Sequence, residues 1–296
     1  MRLRVKHTTN YIYSQPVKEA HTEVRLLPHS DNAQTCLSFH LTTRPHANLF
    51  HYDLPSGRVH HFNIRPPHSE QSVTVESLVA THLKDPFSRL PLLDNDASFY
   101  TQPEVRQRYY EYLIATKRVP LLEEVDRFAE AVRANREGNT ACFLTELTRH
   151  LHGVFVYTPG ATTVHSRLEE FLEQREGVCQ DFAHLLLAIC RRQGIPARYA
   201  SGYIYTGSAS TIEEVSYHAE GPGLVGDGGM HAWVECLLPN GVWVGFDPTN
   251  DLVVNDHYIK VHYGRDYSDV TPVLGVYSGE VTNTLDVSVR VTYEGD

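Results

Sequence analysis

The chain is poor in cysteine, and none of its five cysteines belongs to a Cys-x-x-Cys pair. Cys36, Cys142, Cys179, Cys190 and Cys236 are odd in number and widely spread. That argues against a disulfide framework or a zinc knuckle and fits a reducing, cytoplasmic setting. Long apolar runs are missing too. The strongest near the middle, Leu185 to Cys190, is far too short to span a bilayer. The opening Met1-Arg2-Leu3-Arg4-Val5-Lys6-His7 has no apolar segment behind it, so no signal peptide is expected. Positive charge is in deficit, with 26 basic against 36 acidic residues and a net charge of −10. This disfavours general binding to nucleic acid or to an anionic membrane surface. No repeat, low-complexity tract or heptad pattern is present.

Histidine, by contrast, is plentiful. Ten of the 18 lie before residue 83, among them His51, His60, His61 and His68. They lack His-x-x-x-His spacing, so they are read as solvated or locally hydrogen-bonded groups on a β surface. No metal and no cofactor are expected.

The 296 residues, 41% of them hydrophobic, suffice for about two domains. Residues 1–95 are expected to form a β-rich, sandwich-like N-terminal domain. Alternation in Arg58 to Ile64 and Val73 to Val79, with turn signals at Pro28 to Asn32, Leu54 to Gly57 and Arg65 to Pro67, carries that reading. Residues 96–296 are expected to form an α+β domain. Helical spacing appears over Leu121 to Ala134, Thr140 to Leu151 and Leu168 to Gln174, the last capped by Ser166 with Glu169. A further helix runs from Cys179 to about Gln193 and stops at Gly194-Ile195-Pro196. Strands follow at Ala197 to Tyr205, Met230 to Leu238, Val242 to Phe246 and Leu285 to Tyr293, giving helices first and an antiparallel sheet after.

Cys179 stands in Gly177-Val178-Cys179-Gln180-Asp181-Phe182-Ala183, where a turn ends and an apolar helix begins. A helix start favours a thiolate, and its free N–H groups can hold an oxyanion. The bland alternative is a small buried hydrophobe, which is the reading given to Cys190 and Cys236. His231 follows 52 residues later and Asp247 16 after that, the parts of a nucleophile, base and orienting carboxylate. His184 is about 140° round the helix from Cys179 and is read as structural or semi-exposed.

Whether His231 and Asp247 meet depends on the loop between their strands. Side chains alternate faces, so the two share a face only across an odd-numbered loop. A three-residue loop, Pro239-Asn240-Gly241, sets Asp247 opposite Trp233; a five-residue loop sets it opposite His231. A two-residue Asn-Gly turn would put them on opposite faces.

The blocks GVCQDFAHL, GIPARYASGY, HAWVE and GFDPTND, the tail GRDYSDV and the opening HTTNYIYSQPVKEAHTEVRLLP resemble the bacterial transglutaminase-like family among the papain-like cysteine enzymes. The resemblance runs over nearly the whole chain. It implies a Cys179–His231–Asp247 triad on a papain-like, transglutaminase-like core. Tyr157 and Gln174 are candidates for the second oxyanion donor; a core residue and a helix-surface residue are the alternatives. The animal crosslinking enzymes have an aromatic residue where this chain has Gln180, and no EF-hand-type acidic loop is seen. The missing loop weighs against calcium dependence, and both departures weigh against protein crosslinking itself.

The expected function is cysteine-dependent acyl transfer on an amide or peptide substrate through a thioester, as peptidase, amidase or transglutaminase. The alternative is a non-catalytic binding or scaffold protein that keeps the fold. The loop-like stretch from Gly207 to Gly229 is a candidate rim of the site, with an ordinary surface loop as its alternative. No protein partner is named by the sequence.

Overall fold

The structure is a computed structural model that describes residues 1–90, 98–133, 139–207, 229–278 and 281–295. It begins with β1 (Arg2–Val24), β2 (Gln34–Arg44), β3 (Phe50–Leu54), β4 (Gly57–Ile64) and β5 (His68–Thr81). Helices then dominate: α1 (Pro103–Arg108), α2 (Asp126–Arg133) and α3 (Thr140–Val154) lead into β6 (Val156–Tyr157), α4 (Leu168–Gln174), β7 (Glu176–Gly177) and α5 (Cys179–Arg192). The chain continues through β8 (Ala197–Ile204), β9 (His231–Leu237), β10 (Trp243–Asp247), β11 (Leu252–Val253) and β12 (Tyr258–Gly264). It closes with α6 (Tyr267–Val270), β13 (Val273–Ser278) and β14 (Asn283–Gly295). The α+β class read from the sequence is the one observed.

The N-terminal region is a curled seven-stranded sheet built round β1. The first half of β1 pairs with β5, the second with β4, and the register breaks between Ile12 and Val17. Pro16 lies in that break, where no ladder N–H is needed. Val24, Leu41, Phe62, Ile64, Val73 and Val75 from the two halves form one buried cluster, the sandwich-like core expected.

The expected division of the chain at residues 95 and 96 falls within 91–97, outside the described residues. One assignment based on it needs correcting. Strands β13 and β14, placed by sequence with the second domain, pair with β1 instead. The reason is the open edge: without them, the N–H and C=O groups along the outer side of β1 would have no strand partner.

The second half of the molecule is a layered core. The five-stranded sheet runs in the order β11-β10-β9-β8-β12. Helix α5 covers one face, with every residue from Gln180 to Arg191 buried. Leu3, Val5 and Val79 of the N-terminal sheet pack against Tyr203, Ile259 and Val261 of β8 and β12, and Asp31 of the N-terminal region reaches Lys260 of β12 at 2.8 Å. β8 and β9 are buried along their whole lengths, and the charged residues they carry inside, Arg198 and Glu235, are paired with each other.

Several boundaries follow the sequence closely. Gly194 adopts φ 74° after α5, and the Ile195 N–H returns to the Cys190 carbonyl, the expected glycine stop. Helix α2 is preceded by a short 3-10 turn, Glu123–Val125, and buries Phe128, Ala129 and Val132. Ala134 lies outside the described residues. The cap of α4 differs from expectation. Arg167, not Ser166, is the capping residue, and the Glu170 carboxylate, not Glu169, accepts its N–H at 3.3 Å. Ser166 instead accepts a bond from the Thr163 N–H, one turn earlier.

Candidate active site

Cys179 is the first residue of α5 and is half-buried. Its position is set by the four residues round it. Gly177 has no room for a side chain, since a Cβ there would lie 2.7 Å from both the Asp181 carboxylate and the Phe171 ring. Val178 is extended, and its N–H is taken by Asp181 Oδ2 at 2.9 Å. The Thr162 hydroxyl donates to the same oxygen. Burial raises the pKa of Asp181, and these two bonds oppose the rise. The Asp181 N–H bonds back to Val178, so the N–H groups of Cys179 and Gln180 are the ones left without an acceptor inside the helix.

His231 opens β9 and Asp247 ends β10. The hairpin between them has the three-residue loop: Leu238 N–H meets the Val242 carbonyl, and Gly241 adopts φ 78°. The ladder pairs Trp243 with Leu237 and Phe246 with Val234, and continuing it sets Asp247 opposite Trp233. His231, Trp233 and Asp247 therefore share a face, and His231 Nε2 lies 2.7 Å from Asp247 Oδ2.

Asp247 is fully buried and well bonded. Its Oδ1 accepts the Thr249 N–H at 2.9 Å, and its Oδ2 accepts the Tyr258 hydroxyl and the Asn250 amide at 2.7 Å each. Burial penalises the carboxylate, but His231 above all, with Asn250 and Tyr258, holds it below its ordinary value. Burial likewise works against charge on His231. The Asp247 carboxylate and then the Cys179 sulfur outweigh it and push the imidazole up to about 10. The ring's other nitrogen, Nδ1, is buried and has no partner in hydrogen-bond geometry among the described residues. Trp233 lies nearly parallel to the imidazole, with ring centres 6.3 Å apart.

The other sequence candidates fall out differently. Tyr157 pairs with Gly177 across the short β6–β7 ladder, beside the entrance to α5, and packs on the same core as Cys179. Gln174 is exposed at the end of α4. His184 is fully buried rather than semi-exposed: its Nε2 accepts the Tyr267 N–H at 3.3 Å, and burial drives its pKa down to about 3. The stretch 208–228 of the candidate rim loop lies outside the described residues. Among the described residues no group of metal-binding side chains is assembled, and no helix is long and apolar enough to cross a membrane.

Asn250 and Tyr258 were not read from the sequence as parts of this cluster. Asn250 lay within GFDPTND, three residues after Asp247, where a turn could have suggested it. Tyr258 gave no signal, because the strand that carries it was not recognised.

A sequence profile described as the transglutaminase-like superfamily matches residues 126–248, and one described as the bacterial transglutaminase-like N-terminal region matches residues 3–80. An uncharacterized protein of Mycobacterium leprae is 35% identical over 293 residues, 98% of each chain. A protein-glutamine gamma-glutamyltransferase of Pseudomonas aeruginosa is 31% identical over 105 residues, 35% of this chain and 14% of that one. Among solved structures, a candidate cysteine protease of Cytophaga hutchinsonii superposes with a TM-score of 0.73 at 20% identity, covering 100% of this chain and 91% of that one. That last likeness is one of fold.

Proposed function

We propose, since the chain belongs to the transglutaminase-like superfamily, that it is a cysteine-dependent acyl-transfer enzyme acting on amide or peptide bonds. One observation carries the reading. His231 is fixed through Nε2 by a buried carboxylate, its buried Nδ1 has no partner in hydrogen-bond geometry among the described residues, and the Cys179 sulfur raises the ring's proton affinity.

In this reading the Cys179 sulfur attacks the amide carbon, and the oxyanion meets the N–H groups of Cys179 and Gln180. The His231 imidazolium gives its Nδ1 proton to the departing amine, and a thioester forms. Water or a second amine then attacks the thioester, losing its proton to His231 as the sulfur leaves. Asp247 keeps the ring in one orientation throughout. Tyr157 stands as the candidate for a further oxyanion contact; Gln174, on the surface, does not share that support.

The acyl acceptor separates the peptidase or amidase from the transglutaminase. The named relatives point both ways, one a glutamyltransferase and one a candidate protease. The test is to incubate the protein with glutamine-containing peptides and small amides, with and without a primary amine, and to identify products by mass. Acid product unaffected by amine marks a hydrolase; amine incorporation marks a transferase. No product from any substrate, with Cys179→Ala behaving as wild type, would favour a scaffold protein.

A further inference from the structure

Trp233 is 1% exposed, and its indole Nε1 is buried with no hydrogen-bond partner among the described residues. An indole nitrogen can only donate, and a buried donor left alone is costly, so such a group commonly marks a place for water or ligand. Its direction can be read from two glycines. A Cβ on Gly245 would lie 3.2 Å from Trp233 Cδ1, the atom bonded to Nε1. A Cβ on Gly202 would meet Cη2, at the other end of the ring. Gly245 lines an open cleft of about 380 Å³, and Gly202 does not. The N–H edge of the indole therefore lies on the cleft side.

The cleft sits between the N-terminal region and the five-stranded sheet, and Cys179 and His231 do not line it. Its walls are flat: Trp233, Trp243, Tyr258 and Tyr263. Its charges nearly cancel. Glu235 takes Arg198 and Lys260 at 2.8 Å each, and Lys260 also meets Asp31 at 2.8 Å. Burial penalises both carboxylates, but Lys260 in each case, joined by Arg198 at Glu235, holds them ionised. Arg89 then adds one positive charge with no counter-charge among the described residues, while burial keeps His29 neutral. The Tyr258 hydroxyl is already given to Asp247. What the cleft offers a visitor is thus a free donor, a surplus cation and aromatic surfaces, at a domain junction and within the usual ligand-site size.

We infer that this cleft binds a small carboxylic acid with a flat apolar body, the carboxylate meeting the Trp233 N–H and the charge of Arg89, the body lying along the aromatic walls. The site goes beyond the acyl-transfer reading and does not depend on it.

Both tryptophans of the chain line the cleft, so intrinsic fluorescence reports from it directly. The full chain is titrated with phenylacetate and, as the neutral isostere, phenylacetamide. Expected is a saturable change with phenylacetate and roughly tenfold weaker binding of phenylacetamide, the size of one charged hydrogen bond. Trp233→Phe, read through Trp243, and Arg89→Gln, at a partly exposed position, should each weaken phenylacetate by about tenfold on the same basis, with circular dichroism confirming that both variants fold. No saturable change in the wild type, equal affinity for acid and amide, or wild-type binding by both variants overturns the site.

Discussion

His231 Nε2 and Asp247 Oδ2 lie 2.7 Å apart, and both side chains are fully buried. A charged pair in that position makes stability depend on pH in a defined way. The ordinary imidazole value of 6.5 is raised to about 10, so the contribution of His231 is complete below about 6.5 and lost as pH rises toward 10. Asp247 is lowered from 3.8, so its contribution is present above that value and lost as pH falls through the depressed one. The stability advantage over Asp247→Asn should therefore be greatest between about pH 4 and 6.5 and shrink on either side. Thermal denaturation of the two proteins across pH measures it; a difference that is flat from pH 5 to 10 would contradict the pair.

Thiol alkylation separates the cysteines. Cys190 and Cys236 are buried, while Cys142 is exposed and serves as an internal reference. Iodoacetamide at neutral pH should label Cys179 before Cys142, although Cys179 is the less exposed. His231→Ala should bring Cys179 down to the reference rate or below while leaving Cys142 unchanged. Peptide mass mapping against time gives both rates.

Tyr258→Phe removes one hydroxyl and leaves the ring. Because that hydroxyl donates to a buried carboxylate, its loss should cost about 1.5–3 kcal/mol in chemical denaturation. Labelling of Cys179 should slow with it, since Asp247 would hold His231 less firmly.

Gly177→Ala tests the entrance to α5. A methyl group there meets the Asp181 carboxylate and the Phe171 ring at 2.7 Å. Overpacking of this kind costs about 1–3 kcal/mol. Unlike a substitution deep in the core, it should also change Cys179 labelling, because Asp181 fixes the Val178 N–H just before the thiol.

Glu235→Gln tests the junction between the two halves. It leaves Arg198 and Lys260 buried with one fewer anion, and breaking a buried pair in this manner costs about 3–5 kcal/mol. Urea denaturation followed by tryptophan fluorescence reads this cost at its source. A loss below 1 kcal/mol would show that the network carries little, by the standard of exposed pairs.

Much of this arrangement was legible because local signals and long-range packing agreed. Gly194-Ile195-Pro196 stopped α5 where a glycine can turn left-handed, and the three-residue loop Pro239-Asn240-Gly241, one of the alternatives the sequence left open, puts His231 and Asp247 on one face. What escaped was contact between distant segments. Nothing near Tyr258 says that its hydroxyl ends beside Asp247. The alternation in residues 285–293 marked a strand but not its partner, because pairing is chosen by an open edge elsewhere. Of the two readings of His184, structural or semi-exposed, the structural one holds, because helix α5 is covered on all sides and a position off the Cys179 face is still interior.

The outer edge of β1 has a practical consequence for synthesis. During translation β1 emerges long before residues 283–295, which cover that edge along Arg2 to Tyr13. Until they arrive, the nascent sheet carries a strand border able to pair with any neighbouring polypeptide. The yield of this protein in a cell is thus tied to the pace of the ribosome and to whatever shields the border meanwhile.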